Sequence, residues 1–266
     1  MAMNTRFGWA LASVSLVLTT LTGAASAADM ALKAPPAPAV VPYSWTGCYV
    51  GIEGGGSWGR DRATSNGTNN GVVNGTAGAL KTAGDISGGL VGGTLGCNYQ
   101  WNRWVFGIEG DGSWSGETGS SNLIAPPFVP TFREDVSQSY IATIRGRIGY
   151  AVIPTVLLYG TAGGAFADLR IREFDPTAAA GTAGAIGATE TQSFAGWTAG
   201  AGVEWGFAPS WSAKFEYLYM DLGSKGFFQN TVTGCCTFQS THLTDNIVRA
   251  GINYHFNWGR PVVAKY

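Results

Sequence analysis

The sequence predicts an all-β fold: an eight-stranded antiparallel up-and-down transmembrane β-barrel with short turns at one end and long loops at the other. Three observations predict it. The composition is poor in charge and rich in glycine and aromatic residues. Most of the chain alternates between apolar and polar residues with a period of two, which is typical of strands. The connections between these alternating segments are short and long in turn, as in bacterial outer-membrane barrels.

The composition excludes several classes of protein. Only 12% of the 266 residues are charged, roughly half of what an ordinary soluble domain carries. The 16 basic and 17 acidic residues nearly cancel, so the chain lacks the basic field that nucleic-acid binding needs. The 10 tryptophans, 10 tyrosines and 13 phenylalanines argue against a disordered chain. The chain is therefore expected to fold, with few surface charges and no nucleic-acid partner.

The N-terminal region is predicted to direct export. Arg6 precedes a mostly apolar stretch at 9–21, and Ala-Ser-Ala at 25–27 is a typical cleavage site, so residues 1–27 are predicted to be a signal peptide. Residues 28–46 contain four prolines and predict an extended periplasmic tether. No later segment offers the ~20 apolar residues that a spanning helix needs. If the chain enters a membrane, it does so as strands.

Eight segments carry the strand pattern. In residues 48–58 every second residue is apolar or glycine, while the interleaved positions, such as Glu53, are more polar. The segment 156–168 is more ambiguous, because both of its faces are apolar or small. Most segments reach the ~9–11 residues that a tilted membrane strand requires. The predicted strands are 48–58, 89–99, 104–114, 140–150, 156–168, 197–207, 211–219 and 248–256.

The connections define the two ends of the predicted barrel. Short turns are expected at 100–103, 151–155 and 208–210, and they are assigned to the periplasmic side. An even strand number places both termini on that side. The barrel is expected to cover residues 47–257, followed by a tail at 258–266. The long extracellular loops are predicted at 60–85, 117–135, 171–191 and 223–243.

The strands of a soluble barrel would also alternate between apolar and polar residues, but their polar face would be rich in charged residues. Here the polar face is mainly glycine, serine and threonine, and aromatic residues cluster at the two ends of the strands. Two aromatic girdles suit the two interfaces of a bilayer. The outer girdle is expected to contain Trp58, Trp114, Tyr140, Phe166 and Tyr219, and the inner one Tyr99, Trp104, Tyr150, Phe207, Trp211 and Phe256.

The few charges on strands are assigned to the lumen by the same alternation. An eight-stranded barrel is just wide enough for side chains, and buried charges persist when they are paired. The favoured interpretation is a plug of ion pairs, and the alternative is a narrow, charge-lined path for ions. The predicted network contains Glu53, Glu109, Asp111, Arg145, Arg147, Glu204, Lys214, Glu216 and Arg249, with His255 near its base.

Four cysteines in an exported chain suggest disulfides. Cys48 and Cys97 fall at similar heights and on the same face of two neighbouring strands, which predicts a cross-strand bridge, the alternative being two free thiols. Cys235 and Cys236 are adjacent in the last long loop and are either bonded to each other or reduced. His242 lies nearby, but further ligands with a recognisable metal spacing are missing. No metal site or cofactor is expected.

A catalytic site at the outer rim is the remaining chemical alternative. Of the two histidines, His255 lies at the other end, while His242 lies near the outer end with Ser240, Asp245 and Asp221 as possible partners for nucleophilic catalysis. A single histidine in a loop is more often incidental, so no enzyme activity is expected.

Three stretches resemble a known family. They are residues 43–51 (YSWTGCYVG), residues 96–110 with GCNYQW and WVFGIEG, and residues 248–258 (VRAGINYHFNW). They are similar to the alphaproteobacterial outer-membrane immunogenic, or porin-family, small barrels, over essentially the whole mature chain. The resemblance implies an eight-stranded barrel in the outer membrane of a Gram-negative cell, exposed as a surface antigen.

The last strand also resembles the signal that the barrel assembly machinery reads. The matching residues are Gly251, Tyr254 and Phe256, preceded by Arg249, although Phe256 is not the final residue. The expected function is structural: a monomeric surface barrel that supports envelope integrity, among outer-membrane lipid and lipopolysaccharide. The alternatives are a narrow channel for small solutes and a surface ligand-binding protein.

Overall fold

A computed structural model describes residues 43–65, 68–69, 72–73, 80–122, 133–177, 179–180, 187–228 and 239–256. The predicted signal peptide, most of the tether and the tail lie outside these residues. The described residues form ten strands, eight of them 17 to 22 residues long. The strands are β1 (Gly47–Ser65), β2 (Thr68–Asn69), β3 (Val72–Val73), β4 (Leu80–Trp101), β5 (Trp104–Asn122), β6 (Arg133–Ile153), β7 (Val156–Phe174), β8 (Ala188–Ala208), β9 (Trp211–Phe227) and β10 (Gln239–Phe256).

The eight long strands close into a barrel. Each pairs antiparallel with its sequence neighbour, and β1 also pairs with β10, which closes the ring. The short strands β2 and β3 pair with each other as a separate hairpin. No helix in the described part of the chain is long and apolar enough to cross a membrane. The predicted fold class is confirmed.

The short connections lie together at one end, called here the turn end. Two residues each link β4 to β5, β6 to β7 and β8 to β9. Asn102 in the first of these turns has a φ of 56°, a conformation that asparagine tolerates better than most side chains. The opposite end carries the long connections and is called the loop end.

The strands are longer than the sequence pattern predicts. For example, β5 continues from Trp114 to Asn122 and pairs there with residues 133–138 of β6. The predicted loops at 60–85, 117–135, 171–191 and 223–243 are therefore partly strand. The pattern missed these extensions because they lie where the outward face turns from apolar to polar. Backbone pairing does not need that apolar face.

Two belts of aromatic side chains surround the outside of the barrel. The loop-end belt includes Trp58, Trp114, Tyr140 and Phe166, and the turn-end belt includes Trp104, Tyr150, Phe207 and Trp211, all of them exposed. On β5, ten residues separate Trp104 from Trp114. At ~3.3 Å per residue and a tilt of ~40°, that separation is about 25 Å, the height of the apolar band of an outer-membrane barrel.

Candidate functional site

All nine charged side chains that the sequence assigns to the lumen point inward, and each is at most 2% exposed. The structure brings them together in one set of ion pairs, called here the charge network. The contributing residues are Glu53 of β1, Glu109 and Asp111 of β5, Arg145 and Arg147 of β6, Glu204 of β8, Lys214 and Glu216 of β9, and Arg249 of β10.

Arg145 lies at the centre of the charge network. Its Nη2 atom is 2.6 Å from Oε1 of Glu109 and 2.8 Å from Oδ2 of Asp111. Its Nη1 atom reaches across the lumen to Oε1 of Glu216 at 2.9 Å. The remaining donor, Nε, bonds to Oγ1 of Thr143 at 2.8 Å. One guanidinium therefore ties three carboxylates from opposite walls of the barrel.

Arg249 and Lys214 extend the network. Arg249 lies 2.7 Å from both Asp111 and Glu216 and is also paired with Glu53. Nζ of Lys214 is 2.9 Å from Oε2 of Glu53. Buried charges of opposite sign remain ionised when they are paired and hydrogen-bonded in this way. The network thus links β1, β5, β6, β9 and β10 across the barrel axis.

Arg147 connects the network to two tyrosines that were not included in the predicted site. Its Nη2 is 2.7 Å from Oε2 of Glu204, and its Nη1 donates to Oη of Tyr49 at 2.8 Å. Its guanidinium also lies 4.0 Å from the centre of the Tyr159 ring. Tyr49 in turn donates to Glu109. The parity of β1, which places Tyr49 on the face of Glu53, is the sequence signal that could have found it.

A second layer closes the lumen at the turn end. Trp45, which precedes β1, is fully buried, and its Nε1 donates to the backbone oxygen of Pro154 at 3.1 Å. Its backbone N–H donates to Oε1 of Gln100 at 2.9 Å. The Tyr43 ring packs 4.7 Å from the Trp45 ring, and both lie edge-on to His255. This turn-end plug consists of Tyr43 and Trp45 packed on Val105, Ala151, Leu157 and Tyr159.

Inward-facing glycines make room for these rings. A Cβ atom on Gly206 would lie 2.4 Å from the Tyr43 ring, and one on Gly202 would lie 2.6 Å from the Tyr159 ring. Real Cβ atoms do not approach so closely, so larger residues there would displace the tyrosines. Part of the high glycine content therefore follows from packing aromatic rings into a narrow barrel.

A third layer fills the lumen at the loop end. This loop-end cluster is apolar and includes Ile86, Leu90, Val136, Ile141, Leu169, Ile171, Phe194, Leu218, Met220, Leu222, Phe227, Phe228, Leu243 and Ile247. Five acidic residues at the same end are also buried: Asp61, Glu117, Glu134, Glu173 and Asp245. Oε2 of Glu134 accepts a hydrogen bond from Gln239 at 3.0 Å. The sequence pattern did not place these acids in the lumen, because the first four lie in segments assigned to loops and Asp245 was assigned to the rim beside His242.

The cysteines of β1 and β4 are bonded to each other. Cys48 and Cys97 are register partners and form a disulfide between neighbouring strands. Cys235 and Cys236 lie outside the described residues. No group of three or more histidine, cysteine or acidic residues is placed to hold a metal ion within the described ranges.

The residues of the predicted assembly signal lie at the end of β10. Tyr254 and Phe256 face outward in the turn-end belt and are each 39% exposed. Gly251 pairs with Glu53 of β1 and with Lys214 of β9. Their role in assembly stays a prediction.

The structure rearranges the groups that the sequence placed around His242. Asp245 is buried on the inner face of β10, whereas His242 is half-exposed on the outer face. Nδ1 of His242 lies 3.0 Å from Oγ of Ser224, and Nε2 lies 3.6 Å from Oδ1 of Asp221. A nucleophile, a base and an orienting acid need contacts of about 2.6–3.2 Å. The Asp221 contact lies outside this range.

Comparisons with known proteins point to one family. The sequence matches the family model of the outer membrane protein beta-barrel domain over residues 16–256. It is 31% identical to the 31 kDa outer-membrane immunogenic protein of Brucella melitensis over 252 residues, 92% of this chain and 98% of that protein. It is 28% identical to the 25 kDa outer-membrane immunogenic protein of Brucella abortus over 251 residues, 92% of this chain and 97% of that one.

A third relative and a solved structure cover less of this chain. The 22 kDa outer membrane protein of Rhizobium leguminosarum bv. viciae is 31% identical over 161 residues, 60% of this chain and 63% of that protein. The outer membrane protein OprG from Pseudomonas aeruginosa is similar with a TM-score of 0.48 and 12% identity, covering 80% of this chain and 99% of OprG. Given the family match, the two aromatic belts and the closed ring of strands, the chain belongs to the outer membrane protein β-barrel family and lies in the outer membrane.

Proposed function

We propose that the protein is a structural, non-catalytic surface barrel with a closed lumen, which contributes to envelope integrity and to the presentation of its loops. The observation that carries the proposal is the charge network, in which Arg145 and Arg249 bind carboxylates from several strands across the barrel axis. An ion that entered the lumen would have to break these pairs. Removing one member of a buried pair costs about 3–5 kcal/mol because it leaves an uncompensated charge, so separating these pairs is unfavourable.

The layers above and below support the same conclusion. The turn-end plug blocks the periplasmic mouth with Trp45 and Tyr43, and the loop-end cluster packs apolar side chains beside five buried acids in the opposite half. An open channel would instead need a continuous polar path. The exposure of His242 and its long contact to Asp221 also weigh against a catalytic centre at the rim.

Planar-bilayer recording on the refolded mature chain tests the closed lumen. We expect no steady, reproducible conductance from the wild type. A variant with Arg145, Arg249 and Glu216 all replaced by alanine removes the centre of the charge network and is expected to conduct more often. Steady channels of uniform size from the wild type would contradict the closed lumen and favour the narrow channel.

A deletion strain tests the structural role. We expect it to be more sensitive to detergent and to chelation of divalent cations, and we expect the wild-type gene to restore resistance. Unchanged resistance in the deletion strain would contradict a role in envelope integrity.

A further inference from the structure

Above the loop-end belt, several arginines on the outer surface alternate along the strands with acids that are buried inside the barrel. On β1, Arg60 and Arg62 are exposed on the outer surface while Asp61 between them is buried inside. The same alternation places Arg133 outside and Glu134 inside on β6. On β7, Arg170 and Arg172 point outward, and Glu173 points inward. The outer surface of the extended strands therefore carries five arginines, two of them paired with the outward acids Asp85 and Asp135.

Three of these arginines line one groove. It has a volume of about 590 Å³ and lies across β5, β6 and β7. Ser137 of β6 is the register partner of Arg170 on β7, and Asp135 is the partner of Arg172, so the groove follows the β6–β7 seam. Its lining, called here the arginine groove, includes Arg133, Arg170, Arg172, Thr118, Ser120 and Ser137, together with one acid, Asp135. It thus combines three guanidinium groups and three hydroxyl groups with one carboxylate.

Two nearby acids are already bonded, Asp168 to the backbone and Asp135 to Arg133 within the groove. Oδ1 of Asp168 accepts the backbone N–H groups of Ser139 and Tyr140 at 3.0 and 2.9 Å, which holds an irregularity in the β6–β7 pairing. Oδ1 of Asp135 is 2.8 Å from Nε of Arg133. No carboxylate in the described part of the chain lies within ion-pair distance of Arg170 or Arg172. Among the described residues these two arginines therefore have no acidic partner, and the groove keeps a net positive charge, because three guanidinium groups outnumber one carboxylate.

Arg172 is also held in place by an aromatic ring. Its guanidinium lies 4.7 Å from the centre of the Phe174 ring, a cation–π contact that limits the motion of the side chain. An arginine fixed in this way presents its donors in a planar fork, which suits the bidentate binding of phosphate better than a lysine does.

The height of the groove matches the headgroup layer. Arg170 is four residues beyond Phe166 of the loop-end belt, which is about 10 Å along the barrel axis for a tilted strand. In outer-membrane barrels the long loops face the cell exterior. The aromatic belt marks the edge of the hydrocarbon, so Arg170 and Arg172 stand at or just above the headgroups, and the flexible stem of Arg170 can bend toward them.

We infer that the arginine groove binds the phosphate groups of a phosphorylated glycolipid of the outer leaflet. Arg170 and Arg172 contribute the charge, and the hydroxyl groups of Thr118, Ser120 and Ser137 add hydrogen bonds. The lipid chains would lie against the exposed side chains below, among them Phe166 and Tyr140. This site would bind one lipid specifically at the outer surface of β5, β6 and β7, in addition to the nonspecific contacts that any barrel makes with its membrane.

Native mass spectrometry on the refolded protein in neutral detergent tests the site, with bisphosphorylated lipid A as the probe. The test variant is R170Q/R172Q. The matched control is R60Q/R62Q, which removes two outward-facing charges two residues apart on β1. Each arginine at an anionic lipid surface strengthens binding about fivefold, so the test variant should bind lipid A about 30-fold more weakly. The control should change binding less than about fivefold, because Arg60 is already paired with Asp85 at 3.3 Å.

Two further arms identify the source of the phosphate. Lipid A from which the phosphates have been removed should bind weakly and equally to all three proteins. Inorganic phosphate at millimolar concentration should not displace lipid A from the wild type. Equal loss of binding in both double variants, or equal binding of the two forms of lipid A to the wild type, would overturn the inference. Displacement by inorganic phosphate would instead show a free-anion site and would equally overturn it.

The result is independent of the proposed closed lumen. All substitutions lie on exposed outer positions, and thermal unfolding of each variant checks that the barrel is intact. A protein that fails to bind lipid A can still be non-conducting, and a conducting protein can still bind it.

Discussion

Arg145 of β6 and Glu109 of β5 are register partners on neighbouring strands, and their side chains meet at 2.6 Å in the middle of the lumen. The same guanidinium also reaches Glu216 on the opposite side of the barrel. A local strand pair and a contact across the lumen therefore share one residue. This relationship makes Arg145 the most informative single position in the charge network.

Replacing Arg145 with methionine should destabilise the barrel. The substitution keeps the bulk but leaves Glu109, Asp111 and Glu216 with too few partners, and removing one member of a buried ion pair costs about 3–5 kcal/mol. Urea unfolding of the protein in lipid vesicles measures the loss. The control is Arg60→Met, which removes an exposed charge and should cost about 0–1 kcal/mol. Equal costs for the two variants would contradict the central role of Arg145.

Replacing Ile144 with arginine tests the position of the membrane. Ile144 is 69% exposed on the outer face of β6, between the aromatic residues Tyr140 and Tyr150. An arginine on the lipid face near the bilayer midplane costs about 2–4 kcal/mol, and the cost falls to about 0–1 kcal/mol at the interface. Ile153→Arg at the turn end is therefore the control. Unfolding experiments in vesicles should show the larger loss of unfolding free energy for the Ile144 variant. The reverse order would mean that the bilayer midplane lies closer to the turn end.

Replacing Gly206 with leucine should release the turn-end plug. A Cβ atom at Gly206 would lie 2.4 Å from the Tyr43 ring, so the ring must leave its site against Trp45. We expect chymotrypsin to cleave at Tyr43 or Trp45 in the variant much faster than in the wild type, because the segment becomes accessible. Gly112→Leu is the control, since a Cβ there has open space around it. Unchanged protection in the Gly206 variant would mean that the ring does not depend on that space.

The bond between Cys48 and Cys97 makes two measurable predictions. Non-reducing peptide mapping should recover one linked peptide, and reduction should separate it. The cysteines are 49 residues apart, and a disulfide that closes such a loop stabilises the folded state by about 2–4 kcal/mol. The C48S/C97S double variant should lose that amount in urea unfolding, and the wild type under reducing conditions should match it. An unlinked Cys48 peptide from native protein would contradict the bond.

Much of the fold was predictable because it depends on local periodicity. One face of each strand meets lipid and the other a narrow lumen, so alternation in the sequence reports directly on the two environments. The same alternation along the strands is sufficient to assign Glu53, Arg145 and Arg249 to the inner face. The positions of Cys48 and Cys97 in adjacent antiparallel strands predicted that the two residues lie at similar heights along the barrel axis.

The sequence by itself determined the strand number, the two faces of each strand and the set of charges in the lumen, because these follow from the order and period of residues. Only the tertiary structure decided which charges pair, since Arg145 and Glu216 are 71 residues apart and meet across the lumen. It also decided that Trp45 is buried in the turn-end plug and that Arg170 and Arg172 share a groove with Arg133. Those contacts depend on the closure and register of the ring, which bring distant residues to the same height.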